Sequence, residues 1–289
     1  MKEIKKKTVF ISGGTQGLGL KLVEGYIKNN YLVISGSSND RNINHATEFL
    51  NKKKYNEKDF IFYKFDLSDR DKLSHLLNEL FKENLFTALI SNAAILGTAG
   101  NSEDIELIEF EKVFSVNFFG TIFLINKFIE HFKRVGGGKI VQISGGGATS
   151  PLPYLTPYGC SKAAIARYIE SISVEVKKFQ IFLNCIAPGI LDTNMLDRTL
   201  EFGSKKIGEE YFNHMKNAKE SGGSNIDLSV DLSLFLTSEN SGELTGKLIS
   251  SKWDNWKIFN SNLKKLTETD IYTIRRIIGK DRGFPEGDY

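Results

Sequence analysis

The sequence predicts an α/β fold: a doubly wound, mainly parallel sheet of seven strands in a single domain with a C-terminal extension. Three observations carry this. Short apolar runs alternate with amphipathic segments from Thr8 to Ser250, the rhythm of successive βαβ units. A glycine-rich turn, Ser12-Gly13-Gly14-Thr15-Gln16-Gly17-Leu18-Gly19, follows the first run directly and opens a helical segment. Further on, Tyr158 and Lys162 stand four residues apart in Tyr-Gly-Cys-Ser-Lys, a spacing that places both on one helix face.

Taken in order, Thr8 to Ser12 reads as a first strand and Leu18 to Lys28 as an amphipathic helix. A second strand spans Tyr31 to Gly36, with a helix over roughly Asn42 to Lys53. Phe60 to Phe65 is a third strand, and Ser68-Asp69 caps a helix reaching about Lys82. Phe86 to Ser91 is the fourth strand. A long helical stretch, Glu103 to Arg134, follows and is expected to break near Asn117; Gly136-Gly137-Gly138 ends it. Lys139 to Ser144 and Ile181 to Ile186 are strands flanking a helix from Thr156 to Lys178. Between Pro188 and Ser224 periodicity weakens and Gly and polar residues increase, as in a substrate loop with short helices. A helix over Asp227 to Leu236 and a seventh strand over Lys247 to Ser250 complete the alternation, dividing the chain into residues 1–250 and an extension, 251–289. The extension carries Trp253, Trp256 and Phe259, too aromatic for a solvated linker, and is expected to pack on the domain or on a partner subunit, with the substrate loop as a candidate neighbour.

Composition excludes several classes. The 289 residues are 40% hydrophobic, enough for a sizeable core, yet no apolar run approaches the roughly 18 residues that span a bilayer. The basic start, Met1 to Lys7, runs into an apolar stretch too short for a signal peptide, so no membrane association and a cytoplasmic location are expected. Lysines occur as scattered pairs and triplets on a chain of net charge +3, without a basic stripe interleaved with aromatics, so no nucleic-acid partner is expected. Cys160 and Cys185 lack metal spacing, and the four histidines are dispersed, so no metal site is expected.

The glycine turn sits between strand and helix, the context in which small residues let the backbone approach a pyrophosphate at a helix N-terminus. Gly13, Thr15, Gln16, Gly17, Leu18 and Gly19 are therefore candidate cofactor-binding residues. At the end of the second strand, where an acid would bind the ribose 2′-hydroxyl of NAD, the chain has Gly36-Ser37-Ser38-Asn39-Asp40-Arg41. Ser37, Ser38 and Arg41 suit a 2′-phosphate, which favours NADP(H), with NAD(H) as the alternative; Asp40 argues the other way if it turns inward.

From this point the chain resembles the short-chain dehydrogenase/reductase family, whose Thr-Gly-x-x-x-Gly-x-Gly is matched with Ser12 in place of the first Thr. The resemblance recurs at Asp66-Leu67, at Asn92-Ala93-Ala94 (two substitutions from the family's Asn-Asn-Ala-Gly), at Asn117, Tyr158 and Lys162, at Pro188-Gly189 with Thr193, and at Leu244-Thr245-Gly246. It covers roughly Thr8 to Ser250 and implies a Rossmann-type fold, a nicotinamide cofactor and hydride transfer to or from a carbonyl or alcohol carbon. By resemblance Asp66 and Leu67 border the adenine, Asn92 and Ala93 line the adenosine side, and Pro188, Gly189 and Thr193 hold the nicotinamide end. It further implies a homodimer or homotetramer built on the long helices.

Proton transfer must accompany hydride transfer, and a free tyrosine, with its pKa of about 10, is poorly placed for it. The ammonium of Lys162 is expected to favour the phenolate and lower that pKa. The resemblance adds that Lys162 binds the nicotinamide ribose and that Asn117 positions a water on the proton path. The departure is the family's carbonyl-polarising alcohol, about thirteen residues before the tyrosine: Gly145 stands there, with Ser144 one position earlier. Strand alternation would point Ser144 to the opposite face unless the three glycines alter the turn. Three readings stay open: Ser144 takes the role; Thr149, a C-terminal residue or a substrate hydroxyl takes it; or catalysis is weak or altered. The glycine run also suits a bulky polar, sugar-like substrate, on which a serine at position 145 is expected to bring no gain. A contrasting reading is a cofactor-binding regulatory or structural subunit with little turnover, for which Gly145 argues and Tyr158, Lys162 and Asn117 argue against.

Overall fold

A computed structural model describes residues 6–284; the first five residues of the basic start and the last five of the extension lie outside the described residues. Seven parallel strands form one sheet in the order β3-β2-β1-β4-β5-β6-β7. They are β1 Lys7–Ser12, β2 Tyr31–Ser37, β3 Phe60–Lys64, β4 Phe86–Ser91, β5 Gly138–Ile143, β6 Ile181–Ala187 and β7 Leu248–Ser250. The central strands are continuous apolar runs because helices cover both sheet faces. Alternation along them divides the core. Phe10, Ile34, Leu89, Ile140 and Leu183 face one side, while Val9, Val33, Ile90, Val141 and Ile186 face the other.

On the first side lie α3 (Arg70–Glu83), α5 (Thr121–Val135) and α6 (Thr156–Val176), contributing Leu73, Leu77, Phe128, Ile165 and Ile169. On the second lie α1 (Gly17–Lys28), α2 (Asp40–Lys52) and α10 (Ile226–Thr237). The helix expected to break near Asn117 does not break. α4 (Leu107–Phe114) passes through a π-helical turn, Ser115–Gly120, straight into α5. Gly136 in the left-handed region then closes α5. The aperiodic stretch after β6 folds as α7 (Asn194–Glu201), α8 (Ser204–Ile207) and α9 (Glu209–Glu220).

The described part of the extension adds a 3₁₀ segment, Trp256–Asn262, and α11 (Leu263–Glu268). Trp256, Phe259 and Leu266 are buried in the same cluster as α1 and α10. The chain then returns along the last strand: Leu248 N–H donates to Tyr272 O at 2.8 Å, and Lys247 Nζ donates to Thr269 O at 2.6 Å. Arg275 pairs with Glu170 on α6, fixing the far end of this return.

Candidate active site

The strand order reverses between β1 and β4, and outside the carboxyl ends of strands at such a switch point a cleft forms. The cleft here is a cavity of about 1140 Å³, above the roughly 300–1,000 Å³ of ordinary small-molecule sites. It runs from the β2–α2 and β3–α3 loops, past the glycine turn, to the wall made by β5, α6 and α7.

At one end the turn after β1 is clamped to the turn after β4. Ser12 Oγ accepts from the backbone N–H of Asn92 (3.0 Å) and Ala93 (3.1 Å), and Asn92 Nδ2 donates to the carbonyls of Ser12 and Gly13. A serine hydroxyl therefore serves here as well as the family's threonine. Gly13 and Gly17 have φ of +68° and +51°, and a Cβ at Gly19 would collide with Gly13 O, so these positions require glycine. The open amide groups of this turn and of the α1 N-terminus border the cavity with Thr15, Gln16 and Leu18. Such a donor set fits a pyrophosphate.

At the end of β2, a Cβ at Gly36 would stand 1.8 Å from Tyr63 O, so no acid can occupy that position. Ser37, Ser38, Asn39 and Asn42 line the cavity; Arg41 does not. Asp40 is paired with Lys64 and is also outside the lining. Asp66 and Leu67 border the same end, with Asp66 accepting from the amide and hydroxyl of Ser68. Ser37 and Ser38 thus border the cleft at the end of β2, whereas Arg41, expected to reach it, does not.

At the other end, Tyr158, Lys162, Ser144, Pro188, Gly189 and Thr193 all reach the cavity. Lys162 is buried, donates to Ile143 O at 3.1 Å, and its Nζ lies 5.4 Å from the Tyr158 ring centroid. Burial lowers the Lys162 pKa to about 8, a shift opposed by the nearby Cys185 thiol. Burial also raises the Tyr158 pKa above the ordinary phenol value, with the Tyr211 phenol acting in the same direction. The shift is thus opposite to the lowering expected from the ammonium: burial sets its direction, and Lys162 is not among the influences on the phenol. The Tyr158 hydroxyl donates toward Met195 Sδ at 3.6 Å.

Asn117 lies behind this wall and does not line the cavity. Its Oδ1 accepts from Ile95 N–H (2.8 Å) and its Nδ2 donates to Ile95 O and Ser161 Oγ. The π-helical turn turns it inward, a common use of such bulges at functional sites.

The β5 register continues unshifted past its end, Ser144 N–H donating to Ile186 O at 2.8 Å. Consequently Gly145, not Ser144, looks at the tyrosine: a Cβ at Gly145 would stand 3.9 Å from the Tyr158 hydroxyl. Ser144 Oγ is sealed from solvent and has no hydrogen-bond partner among the described residues. The changed turn that would have let Ser144 replace the missing alcohol is not what the glycines adopt.

Sequence reading also missed several lining residues. Met195, Arg198, Tyr211 and Lys252 come from stretches without periodicity, so no pattern marked them, whereas Trp253 belongs to the aromatic extension.

These features define an α/β oxidoreductase with a dinucleotide-type cleft. The model of the short chain dehydrogenase family matches residues 7–202. Dehydrogenase/reductase SDR family member 4 of Sus scrofa is 25% identical over 248 residues, 86% of each chain. Benzil reductase ((S)-benzoin forming) of Saccharomyces cerevisiae is 28% identical over 197 residues, 65% of this chain and 73% of the relative. Among solved structures, ElxO with NADP bound has a TM-score of 0.72 at 26% identity, covering 85% of this chain and 96% of that one. The chain belongs to the short-chain dehydrogenase/reductase family.

Proposed function

We propose that the protein is an NADP(H)-dependent oxidoreductase that interconverts a carbonyl and an alcohol on a small polar substrate, with Tyr158 as proton donor and acceptor. The observation that carries it is the Tyr158 hydroxyl in the cleft, with Lys162 behind it. The glycine turn would hold the cofactor's pyrophosphate, Ser37, Ser38 and Asn42 its 2′-phosphate, and Gly189 and Thr193 its nicotinamide end. The cofactor supplies or accepts the hydride. Tyr158 gives its proton to the substrate oxygen during reduction, and Lys162 stabilises the phenolate left behind. Asn117 acts as a positioning residue, fixing the Ile95 backbone and the start of the Tyr158–Lys162 helix through Ser161. ElxO, crystallised with NADP, supports the cofactor choice. Exposed Leu107, Ile108 and Phe119 on α4 and the following turn support a homodimer or homotetramer. Among the described residues no helix is long and apolar enough to cross a membrane.

The experiment is a paired measurement on purified protein. Fluorescence titration should show NADPH binding more tightly than NADH, and binding should survive Tyr158→Phe while carbonyl reduction is abolished. Reduction should be lost above about pH 8, because Lys162 is charged below its pKa and neutral above it. Near wild-type turnover in Tyr158→Phe rejects the mechanism; cofactor binding with no turnover on a broad carbonyl and alcohol panel favours a non-catalytic cofactor-binding subunit.

A further inference from the structure

The substrate end of the cleft carries positive charge that the chain does not balance. We propose that Arg198 and Lys252 form a subsite for an anionic group, a carboxylate or a phosphate, on the substrate, with Trp253 as the surface on which its carbon frame rests. The proposal rests on the oxidoreductase reading and names the substrate class for it.

Arg198 on α7 and Lys252 just beyond β7 both line the cavity and are exposed within it. Among the described residues neither makes an ion pair. Of the neighbouring acids, Lys219 holds Asp192 at 2.6 Å and Asp197 at 2.8 Å, Asp254 accepts from Ser250 N–H at 2.7 Å, and Glu201, three residues on from Arg198, makes no ion pair with it; none of these carboxylates lines the cavity. Asp66, the single carboxylate in the lining, sits at the opposite end beside β3 and is bonded to Ser68. Two cations that line a cleft without an ion pair, their nearest acids turned out of the lining, attract anions, and the low-dielectric walls concentrate that field.

The placement of Lys252 adds direction. Its Cδ lies 3.7 Å from where a Cβ at Gly189 would stand, so the stem follows the turn after β6. Its ammonium sits 4.3 Å from the Trp253 ring centroid. That indole is 75% exposed and yet borders the cavity. A large ring left in water beside a cation is a ready platform for an anionic, partly apolar ligand. Across the cleft, the space over Gly145 and Gly146 is open, with nothing within 4 Å of a Cβ at Gly146. This open wall leaves room for a substrate at the Tyr158 hydroxyl, in the same cavity that Arg198 and Lys252 line.

The test uses the full chain and two matched probe pairs, acetoacetate with its methyl ester and dihydroxyacetone phosphate with dihydroxyacetone. Binding is read by quenching of tryptophan fluorescence in the presence of NADP⁺, and turnover by NADPH consumption. One charged member should bind more tightly than its neutral partner by about tenfold, the scale of one charge-assisted hydrogen bond. Which pair shows the preference distinguishes carboxylate from phosphate. The preference should appear in KM, weaken with added salt, disappear in Lys252→Gln and Arg198→Gln, and persist in the surface control Lys264→Gln. Equal or absent binding of charged and neutral members overturns the proposal. So does a preference that survives both substitutions, or a loss in those variants that falls on NADPH affinity and not on the anion. Charge-selective binding without turnover of any probe leaves the subsite standing, and the oxidoreductase reading is then decided by turnover on the broad carbonyl and alcohol panel.

Discussion

Gly145 is where a single residue most changes the chemistry of this site. Its φ of −179° is ordinary extended backbone, and a Cβ there meets only the Tyr158 hydroxyl, at 3.9 Å. Gly145→Ser should therefore fold normally and set a second hydroxyl beside the phenol. The sequence alone favoured no gain, reading the glycines as substrate room. With Ser144 turned away, the geometry separates two cases. On a small generic ketone, kcat should rise, by up to the roughly 10²-fold scale of one oxyanion donor; on a bulky native substrate it should stay level or fall through crowding. Ser144→Ala is the complement. Because Ser144 Oγ is buried without a partner, its removal should leave kcat unchanged and raise stability by about 1 kcal/mol, read by thermal melting. A kcat loss of the donor scale in Ser144→Ala would return the role to that residue.

Among elements, strands and their helices were legible because their periods are local. β4 falls at Phe86–Ser91 as expected, and the Asp69 cap of α3 accepts from Lys72 N–H. The π-helical turn was not legible: its one-residue excess rotates the apolar stripe by about 100°, and that change of phase looked like a break. The region of α7 to α9 was equally opaque, since its side chains face a cleft and solvent in place of a sheet. α5 also holds a group no pattern flagged. His131 is buried against Phe81, ring centroids 4.4 Å apart, with Nε2 unpartnered among the described residues. Burial lowers its pKa to about 4, with Arg134 adding to the shift. Between pH 6.5 and 4 the unfolded chain binds this proton and the folded one does not. Stability is thus full above about pH 6.5 and falls as pH drops toward 4, by on the order of 3 kcal/mol at most. His131→Phe should remove that part of the acid sensitivity, narrowing the difference in Tm between pH 7.5 and pH 5. An unchanged difference would show that His131 does not titrate within the fold.

At the scale of the whole molecule, the extension is bound into the structure that the first 250 residues build. Trp256, Phe259 and Leu266 are each less than a tenth exposed. Trp256 Nε1 donates to Ser251 O at 3.1 Å, and the Phe259 and Tyr272 rings lie 5.2 Å apart. The aromatic content after Ser250 foretold packing, but not its target, since the partners come from α10, α1 and β7, remote in sequence. Burying three such side chains contributes roughly 1.5–3 kcal/mol each, and the net stability of a domain is only about 5–15 kcal/mol. A chain ending at Ser250 should therefore fail to fold or melt far below the full protein. Trp256→Ala, which keeps the extension, should cost about 3–5 kcal/mol, a fall in Tm on the order of 10 °C. The loss should extend to the substrate site, because Lys252 and Trp253 lie on the same segment between β7 and Trp256. Limited proteolysis offers the converse measurement. If a protease rapidly removes the segment after Ser250 and the remaining core keeps its Tm and its cofactor affinity, the extension is a separable appendage and not part of the core.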